Sequence, residues 1–180
     1  MVFGFVQKLA VSGGATALAA GASLVSSAAV APSPAYPSEA VRLEAAGAAS
    51  SAAHIFDRAD LDNNGSIDRE EYEILAVVTA ELARLNGFIA LDAGVGIETV
   101  AIAPASDGSL AKAEKARVGD RARREFQLYA GDDERLAPDE FVDAQLEIFL
   151  ATDADRNGVL IGAELNAYAH AQSKLAPLTS

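Results

Sequence analysis

The sequence predicts an all-α fold assembled from helix–loop–helix units. Three observations carry that expectation. Two twelve-residue stretches, 60–71 and 153–164, repeat one pattern of oxygen-bearing side chains around a glycine. Apolar residues recur near the helical period on both sides of each stretch. Helix stops stand where such units would end, at Asn86-Gly87 and before Pro177.

The first stretch reads DLDNNGSIDREE. Asp60, Asp62, Asn64, Asp68 and Glu71 hold places one, three, five, nine and twelve, and Gly65 holds place six. A short coil with alternate oxygens turned inward suits a hard cation that takes six to eight oxygen ligands. The sharp turn needs a positive φ, which glycine adopts without a Cβ clash. The seventh place offers the backbone carbonyl of Ser66, and the long Glu71 side chain can supply both carboxylate oxygens. Ile67, at place eight, should face the core. A solvated acidic turn would explain the Asp and Asn residues, but not glycine, isoleucine and glutamate at these places together.

The second stretch, DADRNGVLIGAE, repeats the frame with Asp153, Asp155, Asn157, Gly158, the Val159 carbonyl, Leu160 and Glu164. It departs at place nine, where Ile161 has no side-chain oxygen. With four carboxylates against three, the first loop is expected to bind the more tightly. The spacing resembles the EF-hand calcium loop, and the tandem arrangement resembles that of bacterial exported EF-hand proteins. The resemblance covers residues 50–170 and is specific at the two loops. It implies an EF-hand array with two intact loops and two degenerate ones, with Ca2+ as the bound ion. The degenerate candidates are 103–114, lacking oxygens at Ala103 and Ala105, and 129–140, whose acidic run is shifted by one residue.

Composition narrows the function classes. The formal charge of −12 disfavours nucleic acid or an anionic membrane as partner and suits cation binding. There is no cysteine, which excludes disulfides and thiolate chemistry, and the two histidines, His54 and His170, are too few for a histidine metal site. No phosphate loop, Gly-x-Ser-x-Gly or histidine-based zinc motif occurs, so no enzymatic activity is expected. Acidic pairs such as Asp132 with Glu140 have no tryptophan to stack a sugar.

Along the chain, residues 1–35 read as a signal peptide and the start of a linker. Lys8 is followed by a long uncharged run of small and apolar residues. Retention as a membrane anchor and a plain Ala-rich helix are the other readings. Export places the protein in the periplasm or outside the cell; retention anchors it to the membrane. The proline-rich 31–38 segment is a linker, and residues 36–180 form the domain. Helices are expected over 39–59, 66–85, 109–130, 141–152 and 162–174. The second of these should bury Ile74, Leu75, Val78, Leu82 and Leu85; the third should bury Val118, Ala122, Phe126 and Tyr129. The basic ridge Arg117, Arg121 and Arg124 is expected to pair with the protein's own carboxylates. Residues 88–104 read as a surface loop, a strand pair or a poor helix.

The sequence therefore points to calcium binding by an exported buffer, sensor or calcium-stabilised protein. Met1 is the only methionine, so a methionine-rich target groove is absent, which favours buffering or structural calcium over a sensor. The competing class is a cell-surface interaction protein, with an unidentified protein target docked through residues 88–104, in which calcium is only structural.

Overall fold

The structure is a computed structural model that describes residues 41–92 and 96–175. The expected signal segment and the proline-rich linker lie outside the described residues. Among the described residues there are five α-helices and four short strands. In order they are β1 (Arg42–Glu44), α1 (Ala45–Ala59), α2 (Arg69–Asn86), β2 (Phe88–Asp92), β3 (Ile97–Ala101), α3 (Lys112–Tyr129), α4 (Pro138–Thr152), β4 (Val159–Ile161) and α5 (Gly162–Gln172). No described helix is long and apolar enough to cross a membrane.

The all-α expectation, and with it the purely helical EF-hand array, is overturned by two small antiparallel sheets, which make the fold mixed α/β. β1 pairs with β4, Leu43 opposite Leu160. β2 pairs with β3, Phe88 opposite Ala101 through Asp92 opposite Ile97. The physical reason lies in the side chains. Ile89, Ile97, Thr99 and Val100 are β-branched, which suits a pleated surface better than a helix. Residues 42–44, expected to open the first helix, instead run extended, and Leu43 is buried.

The strands connect the two halves crosswise. Ile67 of the first oxygen-rich stretch exchanges both backbone hydrogen bonds with Leu136, each at 2.9 Å. Leu136 stands just before α4, and α4 runs directly into the second stretch at Asp153. Leu160 of the second stretch pairs with Leu43, just before α1, and α1 runs into the first stretch at Asp60. Each stretch is thus tied to the approach to the helix that feeds the other. Residues 129–140 thus pair with the first stretch through Leu136. Residues 103–114 run from β3 into α3, where Glu114 accepts the Ala111 N–H at 2.7 Å and starts the helix.

Two apolar clusters result. One gathers Phe56, Ile67, Tyr72, Phe126, Leu136 and Phe141 under the first stretch; Phe56 meets Phe141 edge-on at 6.0 Å. The other gathers Leu43, Leu91, Val100, Phe149, Leu160 and Tyr168 under the second. α1 and α4 contribute to both clusters and hold them together.

α2 does not bury the face expected of it. Tyr72, Ala76, Ala80 and Ala83 face inward, whereas Ile74, Val78, Leu82 and Leu85 are exposed. Small residues explain the inversion: the alanines lie against an α3 face made of Val118, Gly119 and Ala122. A Cβ on Gly119 would lie 2.4 Å from the Glu73 side chain. Larger side chains would hold the two helices apart. The α2–α3 register is marked by Glu73–Arg123, Glu81–Lys115 and Arg84–Glu114 ion pairs. Such exposed pairs contribute little each, and here they chiefly select the register. Of the predicted α3 stripe, Val118, Ala122 and Phe126 are buried and Tyr129 is half-buried. Arg121 of the basic ridge pairs with Glu125 at 2.9 Å.

Glu125 also fastens the segment that follows α5. Lys174 Nζ, just beyond α5, donates to it at 2.9 Å and lies over the Tyr72 ring. Burial alone would push the Glu125 carboxyl up, but Lys174 and Arg121 outweigh it and hold it below the ordinary carboxylate range. A depressed carboxylate contributes its stability above its unfolded value and loses it as pH falls through the folded one. Glu125→Gln should therefore cost about 1–2 kcal/mol at neutral pH, moderated by residual solvent contact. Urea titrations should show that gap closing below pH ~4.

Gly87 ends α2 with φ +73°, and a Cβ there would meet the Ala103 carbonyl oxygen at 2.5 Å. Strain and backbone collision act together, so Gly87→Ala is expected to destabilise the fold by about 2–4 kcal/mol in the same assay.

Candidate metal centres

Each stretch begins where a helix ends. α1 stops at Asp60 and α4 at Asp153, and both residues have ψ near +80°, which turns the chain out of the helix. Next comes a left-handed residue at place four, Asn63 (φ 56°) or Arg156 (φ 59°), then a left-handed glycine at place six, Gly65 (φ 83°) or Gly158 (φ 77°). The two left-handed steps coil the backbone so that its N–H groups point inward. The place-one carboxylates collect them: Asp60 accepts from Asn64 N at 3.0 Å and Gly65 N at 2.9 Å. Asp153 accepts from Asn157 N at 3.1 Å and Gly158 N at 2.9 Å.

The last residue closes each coil. Glu71 Oε1 accepts from Leu61 N at 2.8 Å and Asp62 N at 3.3 Å. Glu164 Oε1 accepts from Ala154 N at 2.9 Å and Asp155 N at 3.4 Å. Carboxylates far apart in sequence are thereby brought together. One ligand oxygen from each of Asp60, Asp62 and Glu71 falls within 4.8 Å of the others, and Asp153, Asp155 and Glu164 form a matching group. Either group could hold a metal ion. Carboxylates this close repel by about 1 kcal/mol per pair in water and more where solvent is excluded. Inward N–H groups relieve part of that repulsion, and a divalent cation would relieve more.

The remaining predicted ligands are placed unevenly. Asn64 and Asn157 sit at the rim, each donating its amide to the place-three aspartate, Asp62 or Asp155. Their carbonyl oxygens accept backbone N–H groups from Ser66 at 2.9 Å and Val159 at 2.7 Å. Asp68 does not join the carboxylate group. It caps α2, accepting Glu71 N at 2.9 Å, while Glu71 Oε2 accepts Asp68 N at 2.9 Å. This reciprocal cap satisfies two orphan donors at the helix start. The second loop has no such cap, since Ile161 occupies the position. Sequence reasoning missed the left-handed place-four residues, although asparagine at 63 is a recognisable signal. It also missed Arg135, whose Nη1 donates to Ser66 Oγ at 2.8 Å beside the first loop. The histidines lie apart from both groups: His54 faces Asp92 at 3.6 Å, and His170 bonds the Asn166 carbonyl.

Place four offers a test of the coil geometry. Arg156 holds a conformation that side chains with a Cβ seldom adopt, so Arg156→Gly should stabilise the second loop by about 0.5–1 kcal/mol. Gly65→Ala should cost about 1–2 kcal/mol from strain alone, because nothing lies within 4 Å of the added Cβ. Thermal unfolding in chelator reads both. No protein-family model, curated protein or solved structure matches the chain.

Proposed function

We propose that the protein binds calcium, one ion in each loop, as an exported calcium buffer or calcium-stabilised protein. The observation that carries this reading is the repeated closure of both coils by their twelfth residue. Glu71 and Glu164 reach across ten positions to the same backbone N–H groups and bring three carboxylates to one point in each loop. An all-oxygen donor set of carboxylates, amides and carbonyls suits a hard cation and offers no soft ligand for zinc or copper. The spacing, which resembles EF-hand loops, supports calcium in particular. When bound, the ion would neutralise the clustered carboxylates. Asp60, Asp62, Asn64, the Ser66 carbonyl and Glu71 would hold it in the first loop, with Asp68 acting through water. Asp153, Asp155, Asn157, the Val159 carbonyl and Glu164 would do so in the second.

A second reading is an interaction protein in which calcium is structural, and the exposed Ile74, Val78, Leu82 and Leu85 stripe favours it. Binding of an apolar-surface dye separates the two. A large calcium-dependent rise would favour a sensor over both; strong binding that calcium leaves unchanged supports the interaction reading, and weak binding with or without calcium supports buffering.

Calorimetric titration of the chelator-stripped chain should show two binding events. Glu71→Gln and Glu164→Gln should each remove one. Calcium at 100 times the dissociation constant should stabilise the fold by about 2.7 kcal/mol per site. Absence of uptake at millimolar calcium would refute the reading.

A further inference from the structure

The two loops differ at place seven in a way their ligand sets do not show. In the second loop Val159 offers only its backbone. In the first, Ser66 carries a hydroxyl that donates to Asn64 Oδ1 at 2.7 Å, and that hydroxyl accepts from Arg135 Nη1 at 2.8 Å. A short relay thus runs from a guanidinium to an oxygen of the first coil. Arg135 is held there by its own backbone. Its N–H donates to Asp133 at 3.1 Å, and the next residue, Leu136, makes the two-bond exchange with Ile67. Glu134 before it is left-handed (φ 56°), which fixes the turn. Among the described residues no carboxylate lies within 4 Å of the Arg135 guanidinium, although the chain carries an excess of acids. The guanidinium is directed instead at the rim of the first carboxylate group.

We propose that Arg135 is an affinity-setting residue for the first loop: a resident cation that weakens divalent-ion binding there and leaves the second loop untouched. The inference rests on the calcium reading. Two effects act in the same direction. The positive charge repels an incoming divalent ion across water. The relay also keeps the Asn64 carbonyl oxygen occupied as an acceptor, so that binding must compete with it. Arg135 therefore opposes the advantage that four carboxylates give the first loop over the three of the second. At an exposed site the charge effect is screened by salt, so the penalty should shrink at high ionic strength.

The test uses the full chain with Glu164→Gln, which leaves the first loop as the site measured, titrated with CaCl2 by calorimetry. Adding Arg135→Gln should tighten binding by about three- to tenfold at low ionic strength. The gain should fall to about twofold or less in ~0.5 M KCl, where the screening length is a few ångströms. Arg135→Lys keeps the charge and should stay within about twofold of the arginine form. Equal affinities for the arginine and glutamine forms at low salt would overturn the proposal, as would a gain that ignores salt. If neither the arginine nor the glutamine form binds calcium, the calcium reading fails and takes this one with it. Unchanged but measurable binding rejects Arg135 alone. Far-UV circular dichroism of each variant checks that the exposed substitution leaves the fold intact.

Discussion

Everything in the domain depends on a crossed pairing of backbone. Ile67 bonds to Leu136, and β1 bonds to β4 through Leu43 and Leu160. In each case the buried apolar residue of an oxygen-rich loop is held by the segment that introduces the opposite long helix. These pairings fix the height of each loop above its apolar cluster, with Glu71 and Asp153 buried and Asp62 and Asp155 exposed. Within each coil the inward N–H groups hold three carboxylates together, and the pairings seat that coil on its apolar cluster. The two clusters beneath them share α1 and α4.

The candidate sites were legible because their chemistry is local. A pattern of Asp, Asn, Gly and Glu at fixed places within twelve residues demands the same backbone whatever surrounds it, and the left-handed glycines and closing glutamates occur where the spacing requires. Asp68 is the exception. From spacing it is a ligand, but at the first position before a helix its carboxylate competes for another task and caps α2. Periodicity cannot distinguish these roles.

The fold was less legible, and each difference has a cause beyond the local pattern. The α2 face was misassigned because hydrophobicity favours burying Ile74, Val78 and Leu82, whereas close helix approach favours burying Ala76, Ala80 and Ala83. Packing against Gly119 and Ala122 of a helix more than thirty residues away decides between them. β1 was read as helix because three residues are too few to show alternation, and their partner lies at the far end of the chain. Arg135 meets Ser66 across 69 positions and has no signature in sequence at all.

The bare aliphatic ridge on α2 has a colloidal consequence. It is a sticky strip on a molecule that an excess of negative charge holds away from its neighbours. Every divalent ion captured by a loop would cancel two units of that charge, weakening the long-range repulsion while the strip stays in place. Loading with metal and the tendency of molecules to adhere would then rise together, with no change of shape needed to link them.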